Sequence, residues 1–366
     1  MAVCGDPNLR HGIILAKNEL AKKYGVVTAE TIYSAKKKCR NLVLVKANHA
    51  DYERYSALVN NIYLKYTDKV EPFGIDESFL DVTESTKLFG DSITIANLIR
   101  KEVKNTLGLT ISVGVSFNKS LAKLGSDIKK PDAVTVLSYD KYKKIIYPLP
   151  VDMLLFVGKS ANNTLRKKGI NTIGDLAHYD KVKLVKLLGK LGETIYNFAN
   201  GIDNEEVASY DKIRIPKSIS KGLTFKEDLS EFKDLERYVL LLCDEVSSNL
   251  RRQSLKCTVV SLSIKDSLFV TINRQKKIFK TNLFQDICQT ATQILKENYI
   301  KDKPIRAITV SVNNLILPNE EVQMDIFSIE ENKIDNNKVE DVTKVLDKIR
   351  KKYGNDKATF GSLTNK

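Results

Sequence analysis

The sequence predicts a multidomain α+β protein, and three observations carry that expectation. A chain of 366 residues exceeds what one hydrophobic core organises, so roughly two to four domains are expected. The stretch 213–317 reads strand, helix, strand, strand, helix, strand, the order of a split βαβ sheet with its helices on one face. Between these, from Leu149, the chain changes to short helices punctuated by glycines.

Residues 1–69 read as a small mixed unit. Strands are expected at Gly12–Leu15 and Leu42–Val45, with helices at Asn18–Tyr24, Glu30–Lys38 and about Asp51–Tyr66. Residues 70–148 form a second unit. Extended stretches Val70–Ile75 and Phe79–Val82 flank Asp76 and Glu77, which therefore cap a short hairpin. Two adjacent acids repel each other, so a divalent cation between them is one reading and a solvated acidic turn is the other. A helix over Ile93–Leu107 and a strand over Leu109–Val115 follow. A helix bearing Asn118, Lys119, Lys123, Lys129 and Lys130 then ends at Pro131. A hairpin and a strand backed by two helices suit a ferredoxin-like layer. Acids at a turn near a lysine-rich helix are what in-line phosphoryl transfer requires, because that chemistry is mostly positioning and charge neutralisation.

Residues 149–212 contain LLFVGKS and LLGKLG, two turns that lead into helices as in helix-hairpin-helix units. In such units, backbone N–H groups at a helix start grip a phosphate. Gly158, Lys159, Gly189, Lys190 and Gly192 are the candidates, and an ordinary helical pair is the rival reading. In 213–317 the strands are Ser218–Phe225, Leu255–Lys265, Leu268–Ile278 and Ile305–Val312, and the helices are Glu231–Arg252 and Leu283–Asn298. Lys217, Lys221, Lys256, Arg274, Lys276, Lys277 and Arg306 sit on or beside these strands, which predicts a basic sheet face for a nucleic-acid backbone; edge lysines that prevent aggregation are the alternative. The tail, 318–366, holds Gln323, Met324, Asp325, Ile326 and Phe327, a glutamine followed by apolar anchors suited to a shallow apolar pocket. Val342, Val345, Leu346 and Ile349 then form one helical stripe.

The net charge of +14, from 59 basic and 45 acidic residues, favours a polyanion as partner; a general lysine bias is the competing explanation. No apolar run reaches the length of a membrane span and no signal-peptide pattern opens the chain. Five widely spaced cysteines without a CxxC pair read as reduced thiols, and a cytoplasmic monomer is expected.

GIDESFLD, SVGVSFNKSLAKLGSDIKKPDAVTV and AVCGDPNLRHGIILAKNELAKKYGV, in their order along the chain, resemble Y-family translesion DNA polymerases of the bacterial polymerase IV and UmuC-like branch, from about Val3 to Phe327. The resemblance implies fingers over 1–69, a ferredoxin-like palm over 70–148, a helix-hairpin-helix thumb over 149–212, and a β-α-β-β-α-β little finger over 213–317. Asp76 and Glu77 would hold Mg²⁺, with Glu77 also positioning the primer 3′-hydroxyl. Lys130 and Lys22 would meet the triphosphate, and Lys119 and Lys123 the DNA. Gln323, Met324, Ile326 and Phe327 would bind the sliding clamp. The implied substrates are primed or damaged DNA and deoxynucleoside triphosphates. Family members also open with a strand bearing a third metal-binding aspartate and a nearby aromatic residue. This chain starts at the stretch that follows, so two of three carboxylates are expected and a catalytically dead DNA- and clamp-binding remnant is the alternative. Nucleotidyl cyclases, with a related acidic hairpin, are a fold-level rival that nothing after residue 150 supports.

Overall fold

The structure, a computed structural model, describes residues 1–7, 12–212, 215–320, 336–354 and 358. The chain divides into two compact units, Asn48–Ile213 and the flanking segments Met1–Ala47 and Arg214–Lys366.

In the N-terminal segment, strands β1 (Ala2–Cys4), β2 (Ile14–Lys17) and β3 (Leu44–Lys46) form a sheet in the order β2-β1-β3. β1 lies parallel to β3 and antiparallel to β2, and had no counterpart in the expected elements. Helices α1 (Glu19–Lys23) and α2 (Ile32–Lys38) are capped by Asn18 and Thr31, whose side chains accept from Ala21 N and Ser34 N. Cys4, Ile14, Ala21, Val26 and Ala35 make the core of this module.

The unit 48–213 begins with α3 (His49–Tyr63) and continues into the antiparallel pair β4 (Val70–Pro72) and β5 (Ser78–Leu80). Helices α4 (Thr86–Phe89) and α5 (Ser92–Leu107) lead to β6 (Val113–Ser116), α6 (Lys119–Ile128), β7 (Val134–Leu137) and α7 (Tyr142–Ile146). β6 and β7 pair in parallel, and among the described residues they do not pair with β4 and β5. The expected ferredoxin-like layer is thus present as two strand pairs, with α3 and α5 packed through Ile62, Ile95, Ile99 and Val103. Gly114 on β6 lets α6 settle directly onto the strand, because a Cβ there would stand 1.8 Å from Ala122 O. The helices α8 (Lys159–Arg166), α9 (Ile173–His178), α10 (Lys181–Leu188) and α11 (Lys190–Ala199) share one core with Leu121, Leu124, Leu137 and Ile146.

In the other unit, β8 (Ser218–Leu229), α12 (Phe232–Arg252), β9 (Lys256–Asp266), β10 (Thr271–Thr281), α13 (Phe284–Asn298) and β11 (Ile305–Ile316) form a four-stranded antiparallel sheet in the order β10-β9-β11-β8. Each helix bridges two parallel strands with one antiparallel strand between them, which is the split βαβ arrangement. Leu235, Val239, Leu242, Val246 and Leu250 of α12 pack on Val260, Leu262, Ile308 and Val310, so the period-3.6 stripe found its sheet face. A final helix, α14 (Asn336–Tyr353), is held to this module by ion pairs Arg251–Asp347 (2.6 Å) and Arg350–Asp244 (2.8 Å). Its buried side chains include Thr343 and Arg350, while Val342, Val345 and Ile349 of the apolar stripe are exposed.

Candidate nucleotidyl-transfer site

The hairpin β4–β5 carries three acids, and helix α6 presents two lysines to it. Lys119 and Lys123 are four residues apart, so they lie on one helix face. Asn118 fixes the start of that helix by accepting from Leu121 N at 3.0 Å.

Lys119 meets Glu71, in the middle of β4. Its Nζ lies 3.0 Å from both carboxylate oxygens, and the two side chains are only 11% and 8% exposed. Ala208 N adds a third donor to Glu71 at 2.8 Å, and the Lys119 ammonium stands over the Phe79 ring. The segment after α11 supplies Ala208 and runs back over this surface. Asn118 Nδ2 donates to Gly201 O, Ser120 N to Asp203 Oδ2, and Tyr210 N to Asp68 O. Lys119, expected to contact DNA, is therefore engaged inside the protein by partners 48 and 86 residues away.

Lys123 meets Glu77, at the turn. Its Nζ is 2.9 Å from Glu77 Oε1 and 2.6 Å from Asp127 Oδ2. Burial disfavours the ammonium, but the hydrogen bonds to Asp127 and Glu77 outweigh that and raise the Lys123 pKa. Burial likewise pushes the Asp127 carboxyl up, and its hydrogen bonds to Lys123 and Lys130 prevail and hold it below its ordinary value. Lys130 Nζ sits 2.8 Å from Asp127 Oδ1 and is 56% exposed, so it is free to turn toward an incoming anion. The loop that follows is anchored by Asp132, which accepts from Arg100 and Lys104. Asp76 is exposed and has no ion pair or hydrogen bond among the described residues. Asp127 and Glu71 were missed as site residues; the i, i+4 spacing of Lys123 and Asp127 was a visible signal for the first.

Asp76 and Glu77 offer hard oxygen donors, and no group of three His, Cys, Asp or Glu side chains placed to hold a metal occurs among the described residues. Two carboxylates suit Mg²⁺, which binds through one or two protein carboxylates together with substrate phosphates. Beside this hairpin, an open recess of about 410 Å³ is lined by Lys123, Asp127 and the loop Met153–Gly158. Gly158 then starts α8 with no side-chain cap, so Lys159 and the first turn present backbone N–H groups. Gly189 precedes Lys190 in the same way at α11. Gly192 differs: it is buried against α10, where a Cβ would stand 2.4 Å from Leu184 O, so it is a packing glycine. Lys22, in the other unit, is exposed on α1 and lies 3.7 Å from Glu19.

The sheet of the other unit presents a different surface from the expected one. Cross-strand neighbours share a face, and Lys221 pairs in register with Val310, Arg274 with Leu262 and Lys276 with Val260. These three basic residues therefore belong to the helix side. Lys221 and Lys276 end on helix acids, at 2.8 Å from Glu245 and 2.5 Å from Glu297. Ser220, Ser311, Ser261 and Gln275 form one row of the opposite face, and Gly222, Thr309, Ser263 and Asn273 the next. That face is thus hydroxyl- and amide-rich, with Lys277 aligned at its rim beside Val259. Lys217 is exposed just before β8, and Arg306 stacks over Phe269 at 4.7 Å. Gln323, Met324, Ile326 and Phe327 lie outside the described residues.

A strand hairpin with paired acids, a lysine helix beneath it, a glycine-turn helical module and a split βαβ sheet together define a polymerase-type nucleotidyltransferase. Comparison with known proteins agrees. Residues 1–127 match the impB/mucB/samB family and residues 216–326 its C-terminal domain, while 156–203 match the DNA polymerase-iota thumb domain. The chain is 45% identical to a DNA polymerase IV of Acetivibrio thermocellus, over 97% of this chain and 88% of that one. It is 36% identical to a DNA polymerase IV of Clostridium kluyveri, over 100% and 92%. A solved Y-family DNA polymerase chimera shares the fold with a TM-score of 0.76 at 23% identity, covering 87% of this chain and 92% of that one. The chain belongs to the Y family of DNA polymerases, the impB/mucB/samB family.

Proposed function

We propose that the protein is a DNA-directed DNA polymerase of the translesion type, acting in DNA repair and damage tolerance by divalent-metal-dependent nucleotidyl transfer. The observation that carries this reading is the hairpin turn, where Asp76 has no described protein partner and Glu77 has one oxygen engaged and one without a described partner. Acids left in that state, beside a lysine chain that ends on the exposed Lys130, are available to cations and phosphates. Asp76 and Glu77 would hold Mg²⁺, which when bound neutralises phosphate charge and acidifies the attacking hydroxyl. Glu77 positions the primer 3′-hydroxyl. Lys130 leaves Asp127 to meet the triphosphate.

The DNA is held by the α8 and α11 starts at Gly158, Lys159, Gly189 and Lys190, and by the hydroxyl- and amide-rich sheet face with Lys217, Lys277 and Arg306. Neutral donors of this kind position a phosphate backbone without reading sequence. Gln323, Met324, Ile326 and Phe327 dock a bacterial sliding clamp, raising the effective concentration of primer ends. No helix among the described residues is long and apolar enough to cross a membrane. The comparisons lend no support to a DNA-binding remnant. Mg²⁺-dependent extension of primed DNA, abolished in Asp76→Asn and Glu77→Gln, is the expected result; intact DNA binding with no extension by the wild-type chain would overturn the reading.

A further inference from the structure

Glu77, Lys123, Asp127 and Lys130 form an unbroken chain of alternating charge, with contacts of 2.9, 2.6 and 2.8 Å. Lys123 is its pivot. At 16% exposure its ammonium cannot serve as a freely solvated surface cation, and its position is set from below by the rigid helix that also carries Asp127. The helix is in turn tied to the hairpin by Lys119 on Glu71 of β4, and it is seated on β6 at Gly114. Glu77 itself sits on a hairpin turn closed by Phe73 N to Glu77 O at 2.8 Å, so its backbone is fixed, while among the described residues only Lys123 defines the direction of its side chain.

We propose that Lys123, seated by Asp127, is a positioning residue for Glu77: it holds Oε1 and so fixes the carboxylate orientation in which Oε2 remains available for the reaction. This deepens the polymerase reading and rests on it. Two opposed effects follow. The ammonium competes with any cation for the Glu77 carboxylate, so the site without Lys123 binds a metal more tightly. The same site then holds Glu77 in many orientations, and turnover falls, since supporting contacts around a metal-binding carboxylate carry about 10–100-fold in function. A lysine that merely helped the fold would move neither quantity in this way.

The experiment uses the full chain as wild type, Lys123→Met, Lys123→Arg, Asp127→Asn and Glu77→Gln. Mn²⁺ binding to the protein alone is read by electron paramagnetic resonance, thermal stability by melting, and steady-state extension of primed DNA by kcat and KM. Lys123→Met is expected to bind Mn²⁺ about threefold or more tightly. Its kcat should drop about 10–100-fold while KM for the nucleotide stays within about twofold. Lys123→Arg restores most of the turnover, Asp127→Asn falls between, and Glu77→Gln loses Mn²⁺ affinity. A Lys123→Met protein whose Mn²⁺ affinity is unchanged or weaker, or whose kcat matches wild type, overturns this inference alone. A wild-type chain that neither binds Mn²⁺ nor extends a primer overturns the metal-site reading, and this inference with it.

Discussion

The two ends of the β4–β5 hairpin face the same helix with the same chemistry, a glutamate on a lysine, yet they are built for different purposes. At one end, Glu71 and Lys119 are nearly sealed from water and Glu71 is saturated by two contacts from the ammonium and one from Ala208 N. At the other, Glu77 is 34% exposed with one engaged oxygen, and Asp76 beside it has no described partner. Burial with complete partnering makes an anchor, whereas partial burial with spare oxygens leaves carboxylates open to the proposed chemistry. The four-residue step from Lys119 to Lys123 thus separates what holds the hairpin from what the hairpin does.

The largest expected effect comes from breaking the anchor. Glu71→Ala takes from the buried Lys119 ammonium its closest partner, leaving the longer contacts to Glu205 and Glu206 O, and should cost about 3 kcal/mol, read as a lower denaturant midpoint for the full chain. Replacing both Glu71 and Lys119 by methionine should cost clearly less, because no buried charge is then stranded. At the reactive end the pattern reverses. Glu77→Gln should lower primer extension on the order of 10²–10⁴-fold while leaving stability within about 1 kcal/mol. If Glu77→Gln destabilised the chain as much as Glu71→Ala, the contrast between the two ends would fail.

The glycines of the helical module sharpen the same distinction with a smaller effect. Gly192→Ala drives a Cβ into Leu184 O and should cost about 1–3 kcal/mol. Gly158→Ala, with nothing within 4 Å of its Cβ, should stay within about 1 kcal/mol in thermal melts and show its effect in DNA affinity.

Smaller again is the effect of the sheet lysines. With Lys221 and Lys276 on helix acids, Lys221→Gln and Lys276→Gln together should leave the salt dependence of DNA binding nearly unchanged, whereas each phosphate-bound lysine removed would shift the slope by about 0.9. A shift of that size would place them on the DNA after all. In the N-terminal module, Lys38 and the backbone N–H of Val27 hold the Glu30 carboxyl down at about 2. The folded pKa is below the unfolded one, so this contribution is present above pH 4.5 and is lost as pH falls toward about 2. Glu30→Gln should therefore flatten acid unfolding in that window, as followed by circular dichroism.

Much of this was legible in the sequence. The α+β multidomain class, the β-α-β-β-α-β order and the hairpin acids follow from period, turn and motif, all local signals. What local signals could not give were partners far apart in the chain. Glu71 and Lys119 are 48 residues apart, and Glu71 and Ala208 are 137 apart, so a lysine in a basic run was read as free. The sheet lysines were a different failure, since Lys221 shares strand parity with the buried Ile219 and Phe225 and its inward side could have been read from the alternation. Strand β7, four residues paired only with β6, is too short to stand out beside the preceding loop. The segment from Gln323 to Phe327, read from its pattern as a clamp-binding motif, lies outside the described residues.

The most direct test is single-turnover extension of a primed DNA template by the full chain with Mg²⁺, alone and with Glu77→Gln or Asp76→Asn. The account predicts extension by the wild-type chain and its loss in both variants while their melting temperatures stay near wild type. Undiminished extension in either variant would contradict the assignment of chemistry to this hairpin turn.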